Sequence, residues 1–415
     1  MYARRWACAA VVAALSWAPA PAAAQESDRV QALQQQIEAL RKDFADKLAA
    51  LQAEVAALKA QQAAAEAAAA AAPVVQPMAA GAGLTTGKVF NPDVAVIGNF
   101  LGAAGRNPVD PAPALEMAES EVSLQAVIDP YARGDFFLSF GHQGVDLEEG
   151  FITFTELPGK LLVKAGKMRT AFGKVDGMHS HALPWIDRPL VTTNLLGGDE
   201  GLSDAGVSVA RLIPAGTLFL EATGQLFRGE AGDGVFQTSE RSDLSYLGHL
   251  RAYHDLSEST NIDLGASVIR GHNGAGLVDG SDLGRFATRL VGTDVTVRWR
   301  PLQRAIYRQF IGRSEMVWSR REQFGGAGRA MGFYVSGDYQ LARRWFAGAR
   351  YDRSGRADAG GIVDRGGSLL LTYRPSEFSQ VRGQYRRIHF GDAGNGNELL
   401  FQAQFSIGAH GAHAF

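Results

Sequence analysis

The chain is poor in cysteine, in long apolar runs and, past its first half, in lysine. Cys8 is the only cysteine among 415 residues. It falls in a segment with the layout of a cleaved leader, so the mature chain is expected to form neither disulfides nor thiolate metal sites, and cysteine nucleophiles are excluded. No later segment reaches the roughly 18 consecutive apolar residues that a membrane-spanning helix needs. The Ala-rich run at 63–72 is short, weakly apolar and interrupted by Glu66. Enzyme signatures are missing as well: there is no HExxH, no GxSxG nucleophile elbow and no Gly-rich phosphate loop. Segment 83–88 has the wrong spacing for such a loop, and Val89 stands where Ser or Thr is required. The sequence therefore predicts no enzyme and no cofactor. With a formal net charge of −2, nucleic acid is not an expected partner either.

What is present begins with an export signal. Arg4 and Arg5 precede an apolar stretch at 6–17, and a Pro/Ala run ends in Ala22, Ala23 and Ala24. That order predicts a signal peptide over 1–24. Segment 25–61 follows as a helix with a narrow apolar seam: Val30, Leu33, Ile37, Leu40 and Phe44, then Leu48, Leu51, Val55 and Leu58. The four-residue step from Phe44 to Leu48 is a stutter that locally unwinds a supercoil. A seam this narrow predicts a self-associating periplasmic coiled coil, with a trimer as the preferred state. An Ala/Pro/Gly connector at 62–87, punctuated by Pro73, Pro77, Gly81 and Gly83, ends it.

From 88 onward the texture is two-residue alternation. In the last segment Leu399, Phe401, Ala403, Phe405 and Ile407 share one face, while Leu400, Gln402, Gln404 and Ser406 share the other. Val122 and Leu124 likewise oppose Glu119, Glu121 and Ser123, and Val295, Val297 and Trp299 oppose Thr296, Arg298 and Arg300. Tight turns are expected at Asp129-Pro130, Pro158-Gly159, Pro214 to Gly216, Ser257 to Ser259, Pro301 to Gln303, Ala342 to Arg344 and Pro375-Ser376. Longer Gly/Asp-rich connections lie between them, at 228–242, 272–285, 322–328 and 353–367. Seven short turns plus two termini on one side imply 16 strands. The expected fold is all-β: a transmembrane antiparallel β-barrel over 88–415, with an aqueous lumen and a neighbourhood of outer-membrane lipid. Tyr131, Trp299, Tyr339, Trp345, Tyr373 and Phe378 flank the short turns, where an aromatic girdle belongs.

Charge gives the lumen its expected character. No lysine follows Lys174, whereas arginine is dense through Arg387. Alternation puts Arg298, Arg300, Arg350, Arg374, Arg382 and Arg386 on polar faces, and an arginine facing lipid near mid-membrane costs about 2–4 kcal/mol. These are expected to line the pore opposite Glu119 and Glu121, which favours small polar or anionic solutes. Segment 169–202 is too long and too apolar for an idle connection. It is expected to fold inward as a constriction, with Asp187, Arg188, His179 and His181 at the eyelet. The pair His179/His181, with His410 and His413 in the final strand, also admits a zinc site and hence a metal-uptake channel or receptor. A third reading is a structural envelope tether whose barrel only anchors it.

The run Leu161 to Arg169 (LLVKAGKMR), with Phe172-Gly173-Lys174 and Gly206-Val207-Ser208-Val209, resembles the phosphate-selective porin O/P class. The likeness spans most of 88–415. It implies an outer-membrane porin, a coiled-coil N-terminus, a 16-stranded barrel and a homotrimer. The terminal Phe415 and its alternating strand resemble the signal read by the barrel-assembly machinery. The sequence thus predicts an outer-membrane porin for passive diffusion of small hydrophilic solutes, leaning towards anions.

Overall fold

The computed structural model describes residues 92–408 other than 142, 143 and 199, together with Lys42. The expected leader, coiled coil and most of the linker lie outside the described residues, as do His410, His413 and Phe415.

Strands follow the predicted alternation. They are β1 (Asp93–Arg106), β2 (Leu115–Asp129), β3 (Ala132–Gly141), β4 (Gly144–Leu157), β5 (Leu161–Arg169) and β6 (Ser203–Ala215). β7 (Leu218–Phe227), β8 (Ser245–Ser257) and β9 (Thr260–His272) continue the wall. β10 (Leu277–Val278) and β11 (Ser281–Asp282) form a small hairpin within a loop, outside the wall. The wall resumes with β12 (Ala287–Trp299), β13 (Phe310–Gln323), β14 (Gly326–Ala342) and β15 (Trp345–Gly355). It ends with β16 (Val363–Ser376), β17 (Ser379–Phe390) and β18 (Gly394–Gly408). Each wall strand pairs antiparallel with its sequence neighbours. β1 pairs with β18, from Ala95 opposite Gly408 to Arg106 opposite Asn397, so 16 strands close into a barrel without a free edge.

The two faces divide by chemistry because successive side chains point to opposite sides. On β18, Leu399, Phe401, Phe405 and Ile407 are outward and exposed, while Leu400 and Gln402 are buried inside. β2 and β14 repeat this: Glu119, Glu121 and Ser123 point in, as do Tyr334, Ser336 and Gln340. All seven segments predicted as tight turns lie at one end, together with the ends of β1 and β18 that face the termini. Six are connections of two or three residues, but Pro301 to Gln303 falls in a ten-residue connection between Trp299 and Phe310 that winds a helical turn at Leu302–Arg304. Aromatics gather there, Trp345 and Tyr373 with ring centroids 4.7 Å apart.

The other end departs from the expected rule of long connections. The stretch 322–328 is a two-residue turn, Phe324-Gly325, between β13 and β14. Glycine abundance there serves a hairpin: Gly325 (φ 86°) and Gly326 (φ 137°) take backbone angles that disfavour other residues. Only three residues separate β17 from β18. The connection after β15 is likewise shorter than 353–367, because β15 runs to Gly355 and β16 starts at Val363.

Candidate functional site

The segment between β5 and β6, residues 170–202, folds into the barrel and touches wall strands on opposite sides of it. Its entry is set by Phe172-Gly173-Lys174. The Phe172 ring is fully buried against Gly292 of β12, where a Cβ would come within 2.8 Å of it. Gly173 has φ 60°, and a side chain there would collide with the Glu315 carboxylate of β13. Its N–H donates to Ser267 of β9 at 2.9 Å. The Lys174 ammonium reaches Asp263 at 2.6 Å. Val175, Leu183, Trp185, Val191, Leu195 and Leu196 then form an apolar core with inward Leu247, Ile269, Leu290, Val317, Tyr334 and Leu370. Trp185 meets Tyr334 edge-on at 5.1 Å and carries the Arg350 guanidinium 4.9 Å from its ring centre. The short helix α1 (Leu190–Leu195) is tied at its start by Asp352, which accepts from the Leu190 N–H at 3.2 Å.

Both ends of the loop are locked by a buried acid. Asp176 accepts from the Thr170 hydroxyl and from the Leu202 N–H. Burial pushes its carboxyl up to about 6, against the opposing pull of those bonds and of Arg188. Arg188, expected at the eyelet, instead lies inside the loop, only 4% exposed, donating to the Val175 and Met178 carbonyls. It braces the loop and does not line open lumen. In sequence, a Pro-flanked Asp-Arg pair carries no sign of which member turns inward.

Asp187 docks on the arginine sector. It contacts Arg350 and Arg386, each at 2.9 Å, and accepts from the Gln384 amide. Burial would raise the Asp187 carboxyl, but the two guanidinium groups hold it below the ordinary range. Arg350 also pairs with Asp352 and Arg386 with Glu398. Arg382, 2% exposed, donates to neutral acceptors: Thr372, Gln402, Gln380 and the Leu183 carbonyl of the loop. The inward placement expected for these arginines is observed, but Arg350 and Arg382 lie beneath the loop, not as a bare ladder. Arg298 points inward 3.7 Å from Asp263, and Arg374 stacks over Phe346 at 4.7 Å. Arg300 departs from the expectation. It follows the last residue of β12 and is exposed in the turn, where its N–H bonds the Ser259 carbonyl, because the strand ends one residue earlier than alternation suggests.

His179 and His181 dock on the opposite charge. His179 Nδ1 lies 2.9 Å from Glu148 and 3.0 Å from Glu121, and its Nε2 lies 2.8 Å from Glu149. His181 Nδ1 is 3.5 Å from Glu121 and 3.9 Å from Glu119. Burial alone would lower the His179 imidazole, but its carboxylate neighbours raise it well above the ordinary value. Glu148 and Glu149 are additional to the sequence-predicted set. Adjacent strand residues normally face opposite sides, yet a bulge opposite Phe137 and Leu138 brings both to His179. Two consecutive glutamates in a strand are the one signal of this in the sequence.

Two cavities flank this loop. One of about 720 Å³ opens at the long-loop end and is lined by Asp146, Glu148, Glu200, Glu230 and Asp233, against Lys167 and Arg169. The other, about 670 Å³, opens at the short-turn end and is lined by His181, Arg313, Arg374, Arg382 and Glu377 among others.

No protein-family model matches the chain. An uncharacterized protein of Aquifex aeolicus is 28% identical over 329 residues, spanning 71% of this chain and 69% of the relative. Among solved structures, a loop L8 deletion mutant of OmpT, an outer membrane protein of Vibrio cholerae, matches with TM-score 0.52 at 12% identity. That match covers 76% of this chain and 99% of the OmpT chain. The outer membrane channel DcaP of Acinetobacter baumannii gives 0.51 at 12% identity, over 76% and 96%. OprB of Pseudomonas putida gives 0.50 at 10% identity, over 77% and 95%. The chain therefore has the closed 16-stranded antiparallel barrel fold found in outer-membrane proteins, a channel among them.

Proposed function

We propose that this chain is an outer-membrane porin through which small hydrophilic solutes diffuse passively, with a preference for anions set near the short-turn end. The observation that carries the reading is a closed barrel, apolar outside and polar inside, whose third long-end connection folds into the lumen. Strands of 9 to 17 residues suit a tilted bilayer crossing. Closure satisfies the wall's backbone groups without water. Anion preference is supported by the cavity carrying Arg313, Arg374 and Arg382, since guanidinium groups in a partly dehydrated wall attract small anions. Phosphate, the solute implied by the class this sequence resembles, is one such anion. The homotrimer is supported by the coiled-coil pattern of 25–61 and by the trimer form of Vibrio cholerae OmpT.

The test is single-channel conductance of the purified mature protein in planar bilayers, with reversal potential under a salt gradient. Discrete steps with an anion-selective potential are expected. A silent barrel would favour the envelope-tether reading, and a cation-selective potential would remove the anion preference while leaving the pore.

A further inference from the structure

We infer that Glu119, Glu121, Glu148, His179 and His181 form a divalent transition-metal site that clasps the inward loop to the β2/β4 wall. Two donor triads share one residue: Glu119, Glu121 and His181 form one, and Glu121, Glu148 and His179 the other. Within each triad one ligand atom per residue lies within 4.8 Å of the others. A tetrahedral ion bound at about 2.0–2.1 Å sets its ligands roughly 3.3 Å apart. The imidazole-to-carboxylate distances here, 2.9 to 3.9 Å, bracket that spacing.

Buried charge makes the case independently of geometry. The carboxylates of Glu121, Glu148 and Glu149 gather around His179, those of Glu119 and Glu121 face His181, and Glu148 also pairs with the Arg169 guanidinium at 2.9 Å. Glu119 is 7% exposed and Glu121 1%. Neither oxygen of Glu119 receives a hydrogen bond from a basic or amide group, its polar neighbour being the Glu148 carboxyl, and Oε1 of Glu121 accepts none from any described residue. Buried carboxylates without donors are costly unless they are paired or ligate a cation. On the arginine sector, by contrast, the loop brings its own counter-charge in Asp187.

The donor chemistry selects the ion. Imidazole with carboxylate and no thiolate suits zinc, iron(II) or manganese(II) over calcium and magnesium, which prefer all-oxygen shells. His179 would bind through Nδ1, because its Nε2 is engaged by Glu149 at 2.8 Å. Glu149 is then the outer carboxylate that orients a metal-bound imidazole. Glu121, common to both triads, would bridge if two ions bind. Entry is available from the long-loop end, where Glu148 lines an acid-rich cavity that concentrates cations.

The test uses the intact folded barrel without an affinity tag, stripped with chelator and titrated with zinc by calorimetry, with magnesium as control. One or two zinc equivalents per chain are expected, with no magnesium uptake at the same concentrations. Glu121→Gln, removing the shared ligand, should weaken zinc binding at least ~100-fold, as should the double variant His179→Ala/His181→Ala. His389→Ala, an exposed imidazole on Asn395, should bind like the parent. Because the double variant alters only the loop, it remains informative if Glu121→Gln fails to fold. Zinc binding that is absent in the parent, or equal in parent and double variant, overturns the site. Conductance is not the readout, so either result leaves the porin reading to its own experiment.

Discussion

The acidic sector on β2 and β4 and the arginine sector from β13 to β17 hold the same loop, yet they neutralise charge in different ways. At the arginine sector the loop supplies the counter-charge: Asp187 is shared by Arg350 and Arg386, which have Asp352 and Glu398 as second partners. At the acidic sector two imidazoles and the Arg169 guanidinium meet four glutamates, and Glu119 faces another carboxyl, Glu148. One contact is complete as a protein-only ion network. The other has the donor set proposed above for a metal ion. Burial magnifies the difference, because a charge deprived of water must find its counter-charge locally.

The harshest way to break this comparison is to remove the loop's crossing segment. Deletion of 177–190 takes away both contacts at once, and single-channel conductance is expected to rise severalfold. An unchanged conductance would show that the loop does not restrict the pore. Next in size, Asp187→Ala removes the carboxylate shared by Arg350 and Arg386 and leaves each with a single acidic partner, Asp352 or Glu398. Breaking a buried pair costs about 3–5 kcal/mol, to be read as lost loop protection in limited proteolysis. The same variant should shift reversal potential towards anions, since one negative charge is removed from between two guanidinium groups.

A pH experiment separates the loop's internal lock from both wall contacts. Burial raises the Asp176 carboxyl from 3.8 to about 6 in the docked loop. The docked state thus holds its proton to higher pH, and docking is penalised above that value. Lowering pH from 7 to 4 should tighten the loop by about 2 kcal/mol, and Asp176→Asn should erase that part of the dependence. Proteolysis rates of parent and variant across this range measure it. By the same assay Gly173→Ala should cost about 1–3 kcal/mol of docking, from its positive φ and the Glu315 carboxylate beyond it. Arg300→Ala should change neither stability beyond about 0.5 kcal/mol nor ion selectivity, because the side chain sits in an exposed turn.

The barrel is largely legible in the amino-acid sequence. Alternation on β2, β12, β14 and β18, with the seven turns, is enough for strand number and facing, since a lipid-exposed charge or a lumen-exposed leucine is penalised at each position. The long-loop end is less legible. Composition misleads there: Phe324-Gly325-Gly326 reads like part of a long Gly-rich loop, yet the positive φ angles of its two glycines build a two-residue hairpin.

The candidate site divides along the same line. His179, His181, Asp187, Glu119 and Glu121 stand out by type and position, whereas Glu148 and Glu149 do not, because only a bulge turns both inward. By itself the sequence determined a period of two, its phase and where it is interrupted, and from these the closed wall follows through local sterics and hydrophobicity. Only the tertiary structure decided which charges meet across the lumen. Those pairings join residues as far apart as Asp187 and Arg386, and chain separation carries no information about distance once a loop folds back into the barrel.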